Sequence, residues 1–278
     1  MNTILHIVGN RPHFIKLAML YSQLATDDNI EQKIVHTGQH NSKEMSGVFF
    51  EELNIPAAHH HLHIENSGNN DLFIAHTSNA LQPLFRQYSG AIVFTYGDTN
   101  TTLAATMAAK RTGMTVHHFE GGIRTGDLSM PEEMNRIITD RLADVNYCCT
   151  ALNYNTLKNE GHGAGISGKT FLTGDLMFDA FLKTKPIIPQ LNEKEYIACT
   201  IHRAANIGNA KTLLAIVNAL NYIHKQIPVL VPQHPHTKKR LKDYDIQPKF
   251  NLLPPLGYKE MKGFLQNCNS VITDSGGV

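Results

Sequence analysis

Several features that would sort this chain early are missing from its 278 residues. Cysteine is scarce: Cys148, Cys149, Cys199 and Cys268, two of them adjacent and all in apolar, strand-like runs. That argues against a disulfide scaffold and for buried free thiols in a reducing compartment. An excess of either charge is also missing. Lys and Arg number 25 against 24 Asp and Glu, a net +1 with neutral histidines, so charge implies no nucleic-acid or membrane partner. No apolar run approaches a membrane-spanning length. The opening "MNTILHIVGNRP" lacks the charged start of a secretory leader. A cytoplasmic protein is expected.

Two cofactor signatures are lacking as well. Gly163, Gly165 and Gly168 satisfy G-x-G-x-x-G in form, but they follow a helical period and precede a strand, the reverse of the dinucleotide-binding context. The 16 histidines invite a metal. Yet "HHHLH" (59–63) and "HPH" (234–236) alternate in direction, and no H-E-x-x-H or Cys/His zinc spacing occurs. Neither a nicotinamide nor a metal is expected.

What is present is a repeating alternation of short β-rich runs and longer helical periods. Strands "TILHIVG", "QKIVHTG", "AIVFTYG", "TVHHF" and "VNYCCT" are separated by helices, one of which is expected to break or kink near Pro83. After "TFLTG", the stretch "KTKPIIPQLNEK" reads as a linker, and the alternation restarts with "EYIACTI", "PVLVP", "FNLLP" and "SVITD". The expected fold is α/β, with two Rossmann-like, doubly wound domains at 1–172 and 173–278. The chain stops at "SGGV", where another helix is due, so the second domain is expected to be incomplete.

In open parallel sheets, ligands bind beyond the carboxyl ends of the strands. Those ends carry Asn10-Arg11-Pro12-His13 with Lys16, then Asp98, then Glu120, in the first domain. In the second they carry His202-Arg203, His234 and Asp274-Ser275-Gly276-Gly277. Acids gather on one domain; His, Arg and a Gly-rich turn gather on the other. Facing each other, the two would set proton-transfer groups opposite an anion site.

Local roles compete for some of these residues. Asp98 or Thr99 could cap a helix. "GNRP" could be a turn or, with Arg11 and Lys16, a phosphate site at a helix N-terminus. "DSGG" offers backbone N–H groups to phosphate oxygens in the same way. The loop "HHFEGGIRTGDLSMPEEMNR" (117–136) concentrates charge. Within it Ser129 and Glu132 have capping-box spacing, and Glu132 could pair with Arg136. Glu120, directly after an apolar strand and before Gly121-Gly122, has no obvious capping duty and is the best single acid.

Taken in order, "GNRPHFIK", "TGQH", "YGDTNTT", "FEGGIRTGD", "PEEMNR", "TGD", "IHRAAN" and "DSGG" resemble the non-hydrolysing UDP-N-acetylglucosamine 2-epimerases over nearly the whole chain. The resemblance implies a glycosyltransferase-B type pair of Rossmann-like domains, usually a homodimer, acting on a UDP-sugar without NAD or an obligatory metal. It implies inversion at C2 by anti elimination of UDP and re-addition. By the same resemblance, Asp98, Glu120 and Glu132 are the acid/base carboxylates and His202 assists UDP departure. Arg11, Lys16, Arg136, Arg203, His234, Ser275, Gly276 and Gly277 fall on the nucleotide or phosphate side. Gln39 and His40 fall where some relatives bind a second, activating substrate. Three departures bear on the sugar: Asn10 and His13 replace a more common Thr and Glu, and Ala205 replaces a frequent Glu. A branch with an "RPQFIK"-like motif, some of whose members act on UDP-2,3-diacetamido-sugar uronates, is nearer.

Overall fold

Apolar runs of strand length alternate with amphipathic helices along the whole chain, and the computed structural model describes residues 2–39, 47–64, 68–164 and 168–275. They form two units, Met1–Lys183 and Thr184–Val278. In the first, β1 (Asn2–Val8), α1 (Arg11–Leu24), β2 (Ile30–His36), α2 (Val48–Glu52), β3 (His60–His61), α3 (Asn70–Gln87) and β4 (Ile92–Tyr96) come in turn. They are followed by α4 (Asn100–Arg111), β5 (Thr115–Phe119), α5 (Pro131–Leu142), β6 (Val145–Cys148), α6 (Ala151–Asn159), β7 (Lys169–Leu172) and α7 (Leu176–Lys183). The strands pair in parallel in the order β3-β2-β1-β4-β5-β6-β7.

Leu5, Ile7, Val35, Val93 and Val116 from the strands close a core with Leu81 and Phe85 of α3 and with Ala105, Ala108 and Ala109 of α4. The small residues of α4 let its backbone lie close to the sheet, and most of the helix is buried. Burial also explains why α3 runs through Pro83 unbroken, where a break or a kink was expected. Pro83 removes one backbone donor, while Leu81, Leu84 and Phe85 around it are fixed in the core.

The second unit contains β8 (Ile197–Thr200), α8 (Ala204–Ile207), α9 (Ala210–His224), β9 (Val229–Pro232), α10 (Pro235–Asp243), β10 (Asn251–Leu253), α11 (Tyr258–Gln266) and β11 (Ser270–Thr273). Its parallel sheet runs β10-β9-β8-β11. Cys199, Val229 and Val231 pack against Leu213, Val217 and Leu220 of α9. Tyr196, Ala198 and Leu230 pack against Phe264 of α11. Both sheet faces are therefore covered, as a doubly wound parallel fold requires.

The division falls later than the expected boundary after Leu172, because α7 packs on α1 and belongs to the first unit. The expected linker is tied to the second unit instead: Ile187 N–H donates to the Lys259 carbonyl at 3.0 Å, and Lys262 Nζ donates to the Thr184 carbonyl at 2.8 Å. Among the described residues, no helix is long and apolar enough to cross a membrane.

Two connections shape the ground beneath the strand ends. β7 enters beside the backbone of Asp144: Lys169 N–H donates to the Asp144 carbonyl at 2.8 Å, and a Cβ on Gly168 would fall 1.7 Å from that oxygen. The glycine is thus a point of close backbone approach, between a helix and a strand as its sequence context implied. At α5 the expected capping box is not made. The N-cap is Met130, without a side-chain cap, and Ser129 Oγ donates to Asp127 at 2.6 Å.

Glu133 takes over the organising role. Its carboxylate accepts from Thr125 N–H at 2.9 and 3.0 Å, from Gly126 N–H at 2.9 Å and from Arg136 Nη1 at 3.0 Å. Burial opposes ionisation of this carboxyl, but the Thr125 and Gly126 amides and Arg136 outweigh it and bring its pKa down to about 2.

Gly168→Ala is expected to lower stability by about 1–3 kcal/mol, read as a fall in thermal midpoint, because the obstacle is backbone and cannot rotate away. For Glu133 the folded pKa lies below the unfolded one. Its stabilisation is full above the ordinary carboxylate range and is lost as pH falls toward about 2. Glu133→Gln should therefore flatten the acid side of the stability profile in denaturation midpoints taken from about pH 6 down to pH 2. An unchanged slope would show that the three donors do not hold the charge.

Candidate active site

Strand numbering reverses direction between β1 and β4, so the carboxyl ends of these neighbours flank the crevice where open sheets bind ligands. Beyond β1, Asn10 caps α1 by accepting from His13 N–H at 3.4 Å. Arg11 lies half-buried with its guanidinium 5.7 Å from the Phe49 ring, and burial lowers its pKa. One turn into α1, Lys16 is buried and ion-paired with Glu120. Beyond β4, Asp98 ion-pairs with Arg136 of α5. Burial works against the Arg136 charge, but Asp98 and Glu133 more than offset it and raise its pKa. Each acid at the crevice thus comes with its own cation.

The capping question at β4 resolves in favour of Thr99, whose Oγ1 accepts from Thr102 N–H at 3.4 Å. Asp98 is left for Arg136. His13, a departure from the more common motif, is buried, with Nε2 3.2 Å from Thr99 Oγ1 and 3.4 Å from Thr102 Oγ1. It braces the turn after β4 from below.

Glu120 is held in an unusual backbone conformation, φ +76°, which non-glycine residues rarely adopt. The conformation is fixed on both sides: Glu120 N–H and Gly121 N–H both donate to the Tyr147 carbonyl, at 3.0 and 2.9 Å. Strain of this sort costs roughly 1–3 kcal/mol and persists where the surroundings over-determine it. Gly97 faces the same pair. At φ +61°, a Cβ there would sit 3.1 Å from Glu120 Oε2 and 3.2 Å from Lys16 Nζ. Glycine at 97 keeps the space in which Lys16 and Glu120 meet.

Beneath the acids lies a second set of polar groups that motif reading did not single out. His118, fully buried, has Nδ1 2.8 Å from Asp140 Oδ1 and Nε2 2.8 Å from the Gly97 carbonyl. Asp140 also accepts from Gly122 N–H at 3.0 Å and from Arg124 Nη1 at 2.7 Å. Burial opposes its ionisation, but the hydrogen bond from His118 and the charge of Arg124 hold the carboxyl below its ordinary range. Arg124 is fixed in turn by Glu160 at 2.9 and 2.8 Å. Spacing carried a signal here: Glu133, Arg136 and Asp140 stand at i, i+3 and i+7 on α5, one helical face.

A cavity of about 350 Å³ adjoins the Lys16–Glu120 pair, walled by Phe94, Phe119, Tyr147 and Cys149. Burial, with help from Glu120 and Asp175, pushes the Cys149 thiol up to about 12, so it is no thiolate nucleophile at neutral pH. Glu132 stands exposed on the first turn of α5, away from Asp98 and Arg136 in hydrogen bonding. Gln39 lies beside the end of β1, accepting from Thr101 Oγ1 at 2.7 Å. His40 lies outside the described residues.

In the second unit the strand order reverses between β8 and β11. Asp274, after β11, accepts from His202 N–H at 3.0 Å, Arg203 N–H at 2.9 Å and Asn206 Nδ2 at 3.0 Å. Burial opposes ionisation, but Asn206 and those two amides lower its pKa. This fixes the turn carrying His202, which is partly exposed with Nδ1 3.2 Å from Asp274, and leaves Arg203 exposed. The His202 and His234 rings stack at 5.4 Å. Ser275 N–H donates to Thr273 Oγ1 at 2.9 Å, while Gly276 and Gly277 lie outside the described residues. The first unit thus offers proton-transfer groups, and the second a His-Arg turn suited to an anion.

Comparison with known proteins adds a separate line of observation. The family model described as UDP-N-acetylglucosamine 2-epimerase matches residues 22–278. A Methanococcus maripaludis protein named UDP-N-acetylglucosamine 2-epimerase homolog is 36% identical over 291 residues, covering 99% of this chain and 79% of that protein. The Pseudomonas aeruginosa UDP-2,3-diacetamido-2,3-dideoxy-D-glucuronate 2-epimerase is also 36% identical, over 281 residues, with 99% of this chain and 78% of that protein covered. The crystal structure of the Methanocaldococcus jannaschii UDP-GlcNAc 2-epimerase in complex with UDP-GlcNAc and UDP superposes with a TM-score of 0.89 at 31% identity, over 99% of this chain and 79% of that one. With a family model over most of the chain, a relative at 36% identity and a shared doubly wound fold, the chain belongs to the UDP-N-acetylglucosamine 2-epimerase family.

Proposed function

We propose that the chain inverts C2 of UDP-N-acetylglucosamine to give UDP-N-acetylmannosamine, by anti elimination of UDP and re-addition. The observation that carries this reading is the pairing of Asp98 with Arg136 and of Glu120 with Lys16 at the β4 and β5 ends. A C2 proton is a poor acid, so its removal needs a positioned carboxylate acting as the C1–O bond breaks. The C2–H electron pair becomes the C1=C2 double bond, and UDP leaves with the C1–O pair. Re-addition of UDP at C1 with protonation of C2 from the other face completes the inversion. Inversion therefore asks for an acceptor on one face and a donor on the other, which is why several carboxyl groups are useful.

Asp98, Glu120 and the exposed Glu132 are assigned these proton transfers. His202 and Arg203 are assigned to the departing diphosphate, where charge develops. Arg11, His234 and the Ser275 turn are assigned to the rest of the nucleotide. A second reading, epimerisation of a UDP-2,3-diacetamido-sugar uronate, is favoured by the equal identity to the Pseudomonas aeruginosa relative. By family likeness we also infer a homodimer acting in the cytoplasm.

Proton NMR in D₂O tests the reaction on both sugars. Deuterium entering C2 with formation of the C2 epimer is expected for one of them, and free amino sugar as sole product would indicate hydrolysis instead. No C2 exchange with either sugar would sink the reading. Asp98→Asn and Glu120→Gln should each lower kcat by about 10²–10⁴-fold, the usual worth of a positioned acid or base. His202→Ala should slow C1–O cleavage more than it weakens UDP binding, measured by stopped-flow and by titration.

A further inference from the structure

The turn bearing Asp98 and the loop bearing Glu120 follow different strands, and one buried side chain bonds the first directly and the second through Asp140. His118 presents Nε2 to the Gly97 carbonyl and Nδ1 to Asp140, each at 2.8 Å. Asp140 in turn holds Gly122 N–H and Arg124 of the Glu120 loop. A carbonyl oxygen can only accept. An ionised carboxylate already accepting from an amide and a guanidinium can only accept as well. Both ring nitrogens of His118 must therefore carry hydrogen.

The surrounding charges agree. The groups packed around this chain are Asp140 from α5, Arg124 from the loop, Glu160 at the end of α6, and His162 and Cys148. Burial lowers the pKa of His162 and pushes the Cys148 thiol up to about 12, so both are neutral near pH 7. Glu160 is exposed, so Asp140 is the one fully buried carboxylate of the group, and a charge so placed needs all of its donors.

We propose that His118 works as a doubly protonated clamp between the Gly97-Asp98 turn and the Glu120 loop, a positioning residue for both acids. It touches no reacting atom. Without it the Gly97 carbonyl has no buried donor from below, and Asp98 and Glu120 lose their fixed separation. The inference rests on the roles proposed above for those acids, so its test includes a readout that needs no turnover.

Nitrogen NMR of the full chain with labelled histidines, the His118 signals identified by their loss in His118→Gln, should show two protonated, similar ring nitrogens near neutral pH. Widely split nitrogens, the mark of a neutral ring, overturn the clamp whatever the activity. Two isosteric variants then separate positioning from mere stability. The Gln amide nitrogen falls near Nε2 and keeps the bond to Gly97. The Asn amide nitrogen falls near Nδ1 and keeps only Asp140.

His118→Asn should lower kcat on the order of a hundredfold with little change in KM, as misplacement by about an ångström does. His118→Gln, which keeps the Gly97 bond but gives up Asp140, should also lose kcat with little change in KM, because either variant opens one end of the clamp. Wild-type kcat in either folded variant would overturn the proposal. A protonated ring in a wild-type chain that exchanges no C2 proton would count against the proposed function and leave the clamp standing.

Discussion

The ionised Asp140 carboxylate is the constraint from which the rest of the first unit's site follows. An unpaired carboxylate in such a place would cost several kcal/mol, and removal of one partner from a buried ion pair typically costs about 3–5 kcal/mol. Asp140 is acceptable inside the fold only because His118, Gly122 and Arg124 all donate to it. Those donors come from β5 and the segment just after it, so satisfying one charge fixes the path of the chain on either side of Glu120. Arg124 carries the constraint on to Glu160 and so to the end of α6. The Glu120 carboxylate needs no rigidity of its own; it inherits it.

Each unit solves the same problem with one acid that gathers the chain after a strand, Asp140 from within α5 and Asp274 from the end of β11. Asp274 gathers the amides of His202 and Arg203 across the β8–β11 junction much as Asp140 gathers the loop after β5. The difference is depth. Asp140 is sealed beneath the crevice, whereas Asp274 retains some exposure, so its turn is bound less firmly. On the roles proposed above, a shallower anchor suits a group that meets and releases a diphosphate, and a deeper one suits groups whose separation is held during proton transfer.

Much of this was legible in the sequence, because open parallel sheets put ligand-binding groups after their strands. Asn10, Arg11, Asp98, Glu120, His202 and Asp274 all lie at such ends, and the alternation of strands and helices was enough to find them. Other features depended on quantities that periodicity does not contain. The short β3, with His60 and His61, hid in a histidine-rich stretch without β-branched residues, and α7 sat in what read as the approach to a linker. Pro83 does not end its helix, because the residues around it are held in the core.

At α5 the deciding detail was one residue of phase. A helix turns about 100° per residue. A start at Met130 therefore turns Glu133 inward, where a cap on Ser129 would have favoured Glu132. His118 escaped notice because a buried histidine in a strand is usually only a core residue, and its partner lies far along the chain.

The backbone at Glu120 has one more implication. A chain selected for stability alone would place glycine at φ +76°, since glycine reaches that region without steric penalty. Glycine already occupies both following positions, so the local backbone would accept a third. The carboxylate therefore stands where the fold would do better without any side chain, and robustness and reactivity are set against each other at a single Cβ. Changes that harden this protein against heat will be drawn to the residue to which the proposed chemistry assigns a proton transfer.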